Sequence, residues 1–407
     1  MRHTIALLPH YFLLLIVIAC WPGPRGAAQS IPINLDDAFE IALRNYPLLQ
    51  RDSQRLQQQR VLINTASRQP QTHIFVAGSQ IDPNSMNGVQ GVGFLQRFNW
   101  PSGKKYRKAL LEERTQLYED RLAETALGLR REVAMAYLEL LYAKEARSFS
   151  MEKRALTQEL LGLARQKLET GQTGKVPVLA AQGRYKRAEL QYQQAQEQYN
   201  VAYTVFNNWL YSDTAFVAQG PGLPPPRGYV NWFVNDAHPA LRSAQQEVNL
   251  AQARIGQERS QRLPQIITGG QLQMVNGDSP FFGYVLGLSI PLGQKHIKAR
   301  VESAQVDAKI EQTELKAVRA ELEKQRQQLL AALKKEQAAL DFLRKELLPL
   351  ADEQITSARR AYAEDAVGYQ DYTMNLEQAL DSRWEYIQHL RQYHLIRLEL
   401  EFLSGKR

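Results

Sequence analysis

Along most of this chain apolar residues come singly or in pairs, three or four positions apart, inside long polar runs. Leu35, Ala38, Phe39, Ala42 and Leu43 set the pattern, the spacing of one helix face. Asp36 and Asp37 open that run, where the helix dipole favours anions. The spacing predicts a helix from Leu35 to about Gln69, disturbed at Pro47. A second helix is predicted over 104–170, a stretch without proline. At 1.5 Å per residue it would be ~100 Å long. Further helices are predicted over 176–209, 236–262, 294–364 and 370–403, with a local kink at Pro349, which lacks a donor. Ala188, Leu190, Tyr192, Ala195 and Tyr199 suggest narrow apolar seams of the coiled-coil kind. Such rods bury little alone and need neighbours.

Two stretches follow another period. Phe282, Tyr284, Leu286, Leu288 and Ile290 alternate with Gly283, Val285, Gly287 and Ser289. Period two with large apolar groups on one face marks a strand, and about ten residues with terminal aromatics fits a membrane-crossing β-strand. Gln265–Val275 is its expected partner, with a turn at Asn276-Gly277-Asp278. The first half repeats the arrangement. Val92, Phe94, Phe98 and Trp100 share a face, Thr72–Ile81 is the partner, and Pro83–Gly88 is the loop. Two hairpins cannot close a barrel, and an open edge in lipid is forbidden. Strands that cross a membrane therefore imply several chains in one barrel.

The punctuation is written twice. Arg68-Gln69-Pro70 and Arg262-Leu263-Pro264 end polar helical runs 194 positions apart, and Gly174 and Gly368 break the long runs at the same interval. Trp100-Pro101 and Ile290-Pro291 precede the long runs. A duplication of this length implies two equivalent units. The expected division is 1–28 as an export signal, 29–209 as the first repeat with hairpin 72–98, 210–235 as a linker region, and 236–407 as the second repeat with hairpin 265–291. The linker carries Gly220-Pro221-Gly222-Leu223-Pro224-Pro225-Pro226.

Composition narrows the function. The 407 residues are 44% hydrophobic and 23% charged, with net charge +8, ordinary for a folded chain. Charges are interspersed and no basic stripe carries interleaved aromatics, so nucleic acid is not an expected partner. Residues 1–28 read as a signal, with a basic start and an apolar run too short to span a bilayer. The single cysteine, Cys20, fits a relaxed lipoprotein box as well as the end of the signal core. No phosphate loop, nucleophile elbow or HExxH is present. His73, His238, His296, His389 and His394 are scattered, without metal-ligand spacing. Neither catalysis nor a cofactor nor a bound metal is expected. A soluble periplasmic coiled-coil adaptor or scaffold would explain the rods but not the duplicated hairpins.

Over about residues 33–403 the chain resembles the TolC-like outer-membrane efflux protein family. Leu35–Pro47 resembles that family's first helix, Phe94–Gly103 its second strand and exit, and Val367-Gly368-Tyr369-Gln370-Asp371-Tyr372 its second helix-turn tip. The resemblance implies a mostly helical fold with a small β part. Three chains would share a twelve-stranded barrel in the outer membrane and a twelve-helix barrel across the periplasm. It implies a passive duct in an efflux or type I secretion system, with a periplasmic adaptor and an inner-membrane pump, of the RND type by expectation, as partners, and outer-membrane lipid around the strands. It places partner contacts at the tips Gly171, Gln172, Thr173 and Gly174, and Asp365, Ala366, Val367, Gly368 and Tyr369. Glycine is usual in the family where Asp365 stands. Tyr362 and Asp371 match positions at the periplasmic gate, where three copies of Asp371 would form a carboxylate ring. The region around Tyr369 is most similar to the heavy-metal-efflux branch.

Overall fold

The computed structural model describes residues 31–79, 88–226, 228, 232–278 and 280–405. The expected signal 1–28, with Cys20, and most of the loop 83–88 lie outside the described residues. Strand β1 (Ile31–Ile33) leads into α1 (Leu35–Asn45) and α2 (Pro47–Leu62). The Asn34 side chain accepts from the Asp37 N–H at 2.8 Å and caps α1. The disturbance expected at Pro47 is a full break. Tyr46 is extended (φ −65°, ψ 117°) and Pro47 opens a new helix, as its missing N–H allows at a first helical position. A tight turn over Ile63–Ser67 ends this run two residues short of Gln69.

Strands β2 (His73–Ser79) and β3 (Val89–Asn99) follow, then α3 (Pro101–Glu169), which is 69 residues long. After α4 (Lys175–Leu210) comes β4 (Phe216–Ala218). The second half runs α5 (Pro239–Ser260), β5 (Gln265–Val275), β6 (Phe281–Ser289), α6 (Lys295–Phe342), α7 (Leu348–Ala363) and α8 (Tyr369–Leu403). Between α6 and α7 the chain forms one π-helical turn, Leu343–Leu347. It sits directly before Pro349, whose ring would clash with the carbonyl four residues back in a regular helix. The expected kink is therefore a widened turn, a known way of relieving such a conflict.

The helices pair along their length. Ala181, Ala188 and Ala195 recur every seven residues on α4 and are all nearly or fully buried, so α4 approaches α3 closely along an alanine seam. Leu190, expected in that seam, faces outward and is 52% exposed. Tyr192 and Tyr199 instead lie under Arg154 and Arg147, at 4.4 and 4.3 Å from guanidinium to ring centre. The short helices meet end to end. Asn45 of α1 donates to the Leu210 carbonyl at the end of α4, and Gly405, just beyond α8, sits against His238 at the start of α5.

Charged pairs run down the seam between α3 and the helices α7 and α8. Arg131 pairs with Glu399, Glu139 with Arg391, Glu152 with Arg383, Glu159 with Arg359 and Lys167 with Asp365. Most are partly exposed, and each of those contributes at most about 1 kcal/mol; Lys167 is buried. On α3 the order is one base, three acids and one base, each facing its opposite on the second rod. The main core lies near mid-length around Val133, Tyr137, Phe206, Leu210, Leu390 and Tyr393. There β1 and β4 form a parallel pair, Ile31 opposite Phe216, which the sequence reading did not anticipate. The Tyr137 hydroxyl donates to the Gln219 carbonyl at 3.0 Å beside that pair.

Candidate functional site: an apolar sheet at one end and a tyrosine-packed tip at the other

The two hairpins join through β3 and β5 into one antiparallel sheet of order β2-β3-β5-β6. Register aligns the large apolar residues in rows across all four strands. Val76, Val92, Leu272 and Phe282 form one row, and Ile74, Phe94, Gly270 and Tyr284 the next. Phe98, Ile266 and Leu288 form a third, on the same face because the side-chain period is two. This face is bare. Val76 is 83% exposed, Tyr284 82%, Phe282 and Leu286 76% each, and Leu288 and Ile290 about as exposed as Leu272. An apolar face of this size, with nothing of this chain upon it, is a surface for lipid or protein.

The opposite face is mixed and crowded, with glycines set among Phe75, Leu95, Ile267, Phe281 and Val285. A Cβ at Gly93 would meet the Phe75 ring at 2.7 Å, and one at Gly269 would meet the Phe94 carbonyl oxygen at 2.4 Å. Glycine there lets neighbouring strands approach closely. The polar positions of this face include Arg97, Gln271 and Gln273. Among the described residues of the four strands there is no carboxylate. The Asn276-Gly277 turn has positive φ at both residues, 46° and 85°, as a two-residue primed turn needs.

At the far end of the rods lie the two tips. Helix α3 stops in a left-handed cap at Gly171 (φ 75°), with the Gln172 N–H donating to the Lys167 carbonyl at 2.8 Å. Helix α7 stops the same way at Asp365 (φ 61°), with the Ala366 N–H donating to the Ala361 carbonyl at 2.8 Å. Both are Schellman caps. Gly174 and Gly368 then act as N-caps for α4 and α8. Gly171, Gln172, Gly174, Asp365, Ala366 and Gly368 are exposed, and Thr173, Val367 and Tyr369 are half-buried.

Behind the tips lies Tyr362, which matches a position at the gate by resemblance; it is only 2% exposed in this chain. Its ring stacks on Tyr372 at 5.0 Å and 10°, and meets Tyr369 edge-on at 6.4 Å. The Tyr362 hydroxyl has no hydrogen-bond partner among the described residues. In this chain Tyr362 packs the tip. Its position one turn before the cap points the ring inward, against Leu160, Leu161 and Leu376. Burial pushes the phenol ionisation of Tyr362, Tyr369 and Tyr372 above the ordinary value, with the Arg184 guanidinium opposing the rise at Tyr369. Lys167, which no local pattern singles out, is buried. Its ammonium pairs with Asp365 and lies 5.0 Å from the centre of the Tyr362 ring. Arg184 of α4 also pairs with Glu377 of α8. Asp371 is exposed in the first turn of α8, where the helix dipole stabilises a carboxylate, and it has no ion pair among the described residues.

No group of His, Cys, Asp and Glu among the described residues could hold a metal, and no described helix is long and apolar enough to cross a membrane.

A family model described as outer membrane efflux protein matches residues 235–406. No curated protein matches the sequence. Solved structures match over nearly all of the chain. A membrane protein from Pseudomonas aeruginosa superposes with a TM-score of 0.76 at 16% identity, covering 92% of this chain and 94% of its own. The transmembrane channel CusC gives 0.74 at 14%, covering 92% and 93%. The outer membrane protein VceC of Vibrio cholerae gives 0.74 at 14%, covering 91% and 96%. At these identities the likeness establishes the fold.

Proposed function

We propose that this chain, which belongs through its second half to the outer membrane efflux protein family, is the passive outer-membrane duct of a tripartite efflux or secretion system. The observation that carries the reading is the four-stranded sheet, bare and apolar on one face, with β2 and β6 as free edges. In lipid those edges must be paired. Pairing β6 of one copy with β2 of the next closes a barrel whose apolar rows face outward and whose glycine-rich face surrounds the passage. A homotrimer does this with twelve strands. The helical rods then extend into the periplasm, with the tips at Gly171–Gly174 and Asp365–Tyr369 offered to an adaptor and, through it, to an inner-membrane pump.

Asp371 fits the narrow end of this duct. It is exposed, without an ion pair among the described residues, and one turn from the tip, so three copies around an axis would form a carboxylate ring favouring cations. Transport energy comes from the pump, and no residue of this chain is asked to do chemistry. The RND class of pump and a heavy-metal cargo are the finer form of this proposal. Tyr369, on which the heavy-metal likeness turns, packs against the Tyr362 ring.

Single-channel recording of the purified mature protein in planar bilayers, beside Asp371→Ala, tests the reading. Discrete conducting steps, with cation preference reduced in the variant, are expected. A protein that stays soluble without detergent and never inserts would instead be a periplasmic coiled-coil adaptor or scaffold.

A further inference from the structure

Four segments cross the boundary between the sheet and the rods: residues 68–72, 100–111, 258–265 and 289–300. They carry Arg68, Lys104, Lys105, Arg259, Lys295 and Lys298, all exposed and none in an ion pair among the described residues. The one carboxylate of these segments, Glu258, is buried and held by Arg300 at 3.1 Å and by the Gln261 amide at 2.9 Å. Elsewhere on the rods acids and bases are interspersed, and many of them pair. Here the balance is cationic, in a collar one or two helical turns deep.

The collar begins where the apolar face ends. Ile290 and Leu292 continue the outward parity of Leu286 and Leu288, and Leu292 is 90% exposed. Lys295 follows three residues later. On the other strand Trp100 is partly exposed at the start of α3, and Lys104 lies one turn below it on the same helix face. An indole beside apolar rows, followed at once by lysines, is the order expected on passing from hydrocarbon through an interface to headgroups. Lysine stems reach across such a boundary while the ammonium stays in the polar layer.

We propose that this collar docks on the anionic phospholipid headgroups of the leaflet facing the rods, and so sets how deep the sheet sits. The proposal rests on the membrane-duct reading. Charge complementarity and continuity with the bare apolar face identify the occupant. A partner protein seated on the collar would have to share it with the lipid that the apolar rows already require.

The test is partition of the full mature protein from detergent into vesicles of phosphatidylcholine alone or with one third phosphatidylglycerol, acyl chains matched, at low and high salt. The variant combines Lys104→Gln, Lys105→Gln, Lys295→Gln and Lys298→Gln. We expect wild type to favour the anionic vesicles by roughly tenfold or more at low salt, falling toward parity at high salt. The variant should partition into both compositions nearly equally. Equal partition of wild type into the two compositions, or an anionic preference kept by the variant, would overturn the collar while leaving the duct intact. Failure to enter either composition would overturn the duct reading itself. Circular dichroism of the variant in detergent, matching wild type, excludes misfolding as the cause.

Discussion

Lys167 and Asp365 join the two tips, and they do so from positions that are not equivalent in the repeat. Asp365 stands in the left-handed cap position that Gly171 occupies 194 residues earlier. Lys167 corresponds to Ala361. The non-glycine cap is thus coupled to a buried cation on the other tip, which Asp365 reaches because it has a side chain.

This pairing makes the glycine substitution informative. Asp365→Gly relieves a left-handed conformation that costs roughly 1 kcal/mol, but leaves the Lys167 ammonium buried without its carboxylate. Asp365→Ala keeps the strain and loses the pair, and should destabilise the tip by about 1–3 kcal/mol. Adding Lys167→Met should suppress most of the difference between wild type and the Asp365→Gly variant. Hydrogen exchange at 164–174 and 358–370 reads the outcome. Additive effects of the single changes would mean that the pair contributes nothing.

The two faces of the sheet should respond differently to charge. Leu286→Arg puts a cation on the bare apolar face and should cost up to about 2–4 kcal/mol of membrane stability per copy. Gln271→Arg, on the opposite face, should insert normally. Fractionation after membrane reconstitution distinguishes them, and equal loss from both would argue against lipid on the bare apolar face.

Gly269 and Gly287 form a matched control for the close approach of the strands. A Cβ at Gly269 would run into backbone, whereas at Gly287 it meets nothing within 4 Å. Gly269→Ala should lower stability by about 1–3 kcal/mol and Gly287→Ala by a few tenths. A thermal melt in detergent followed by circular dichroism would show whether the order is reversed.

Much of this was legible in sequence, for identifiable reasons. Proline and glycine act locally, so Gly174 and Gly368 marked helix ends without knowledge of the fold, while Pro47 signalled a disturbance but not a full break. Alternation in Phe282–Ile290 marked β6 because one face is entirely apolar. What escaped depends on distant residues. β1 and β4 are three residues each, too short for any period, and exist because Ile31 meets Phe216 far along the chain. The inward packing of Tyr362 and the burial of Lys167 follow from the contact of α3 with α7 and α8, which no local spacing reveals. Pro349 announced a disturbance, but not that it would take the form of a widened turn.

The tyrosine cluster predicts alkaline sensitivity at the tips. Burial raises the ionisation of Tyr362, Tyr369 and Tyr372 above the ordinary value of 10.0. The folded state therefore holds protons that the unfolded chain releases first. Stability from these groups is fully present below the ordinary value and is lost as pH rises from there through the folded values. Phenolate absorbance during a pH titration should lag for three tyrosines and appear together with increased hydrogen exchange at the tip. Ionisation of all tyrosines at the ordinary value would contradict the packing.

The widened turn at Leu343–Leu347 has a consequence for how the halves compare. Lys295 to Ala363 contains as many residues as Pro101 to Glu169, so the two rods begin and end in step. One turn of the second rod closes over an extra residue, however, and each residue of a helix advances the azimuth by about 100°. Beyond that turn, positions that match by number point in different directions. The rods are therefore congruent in length and out of phase at their tips, and a barrel built from three such chains would have threefold rather than sixfold symmetry there.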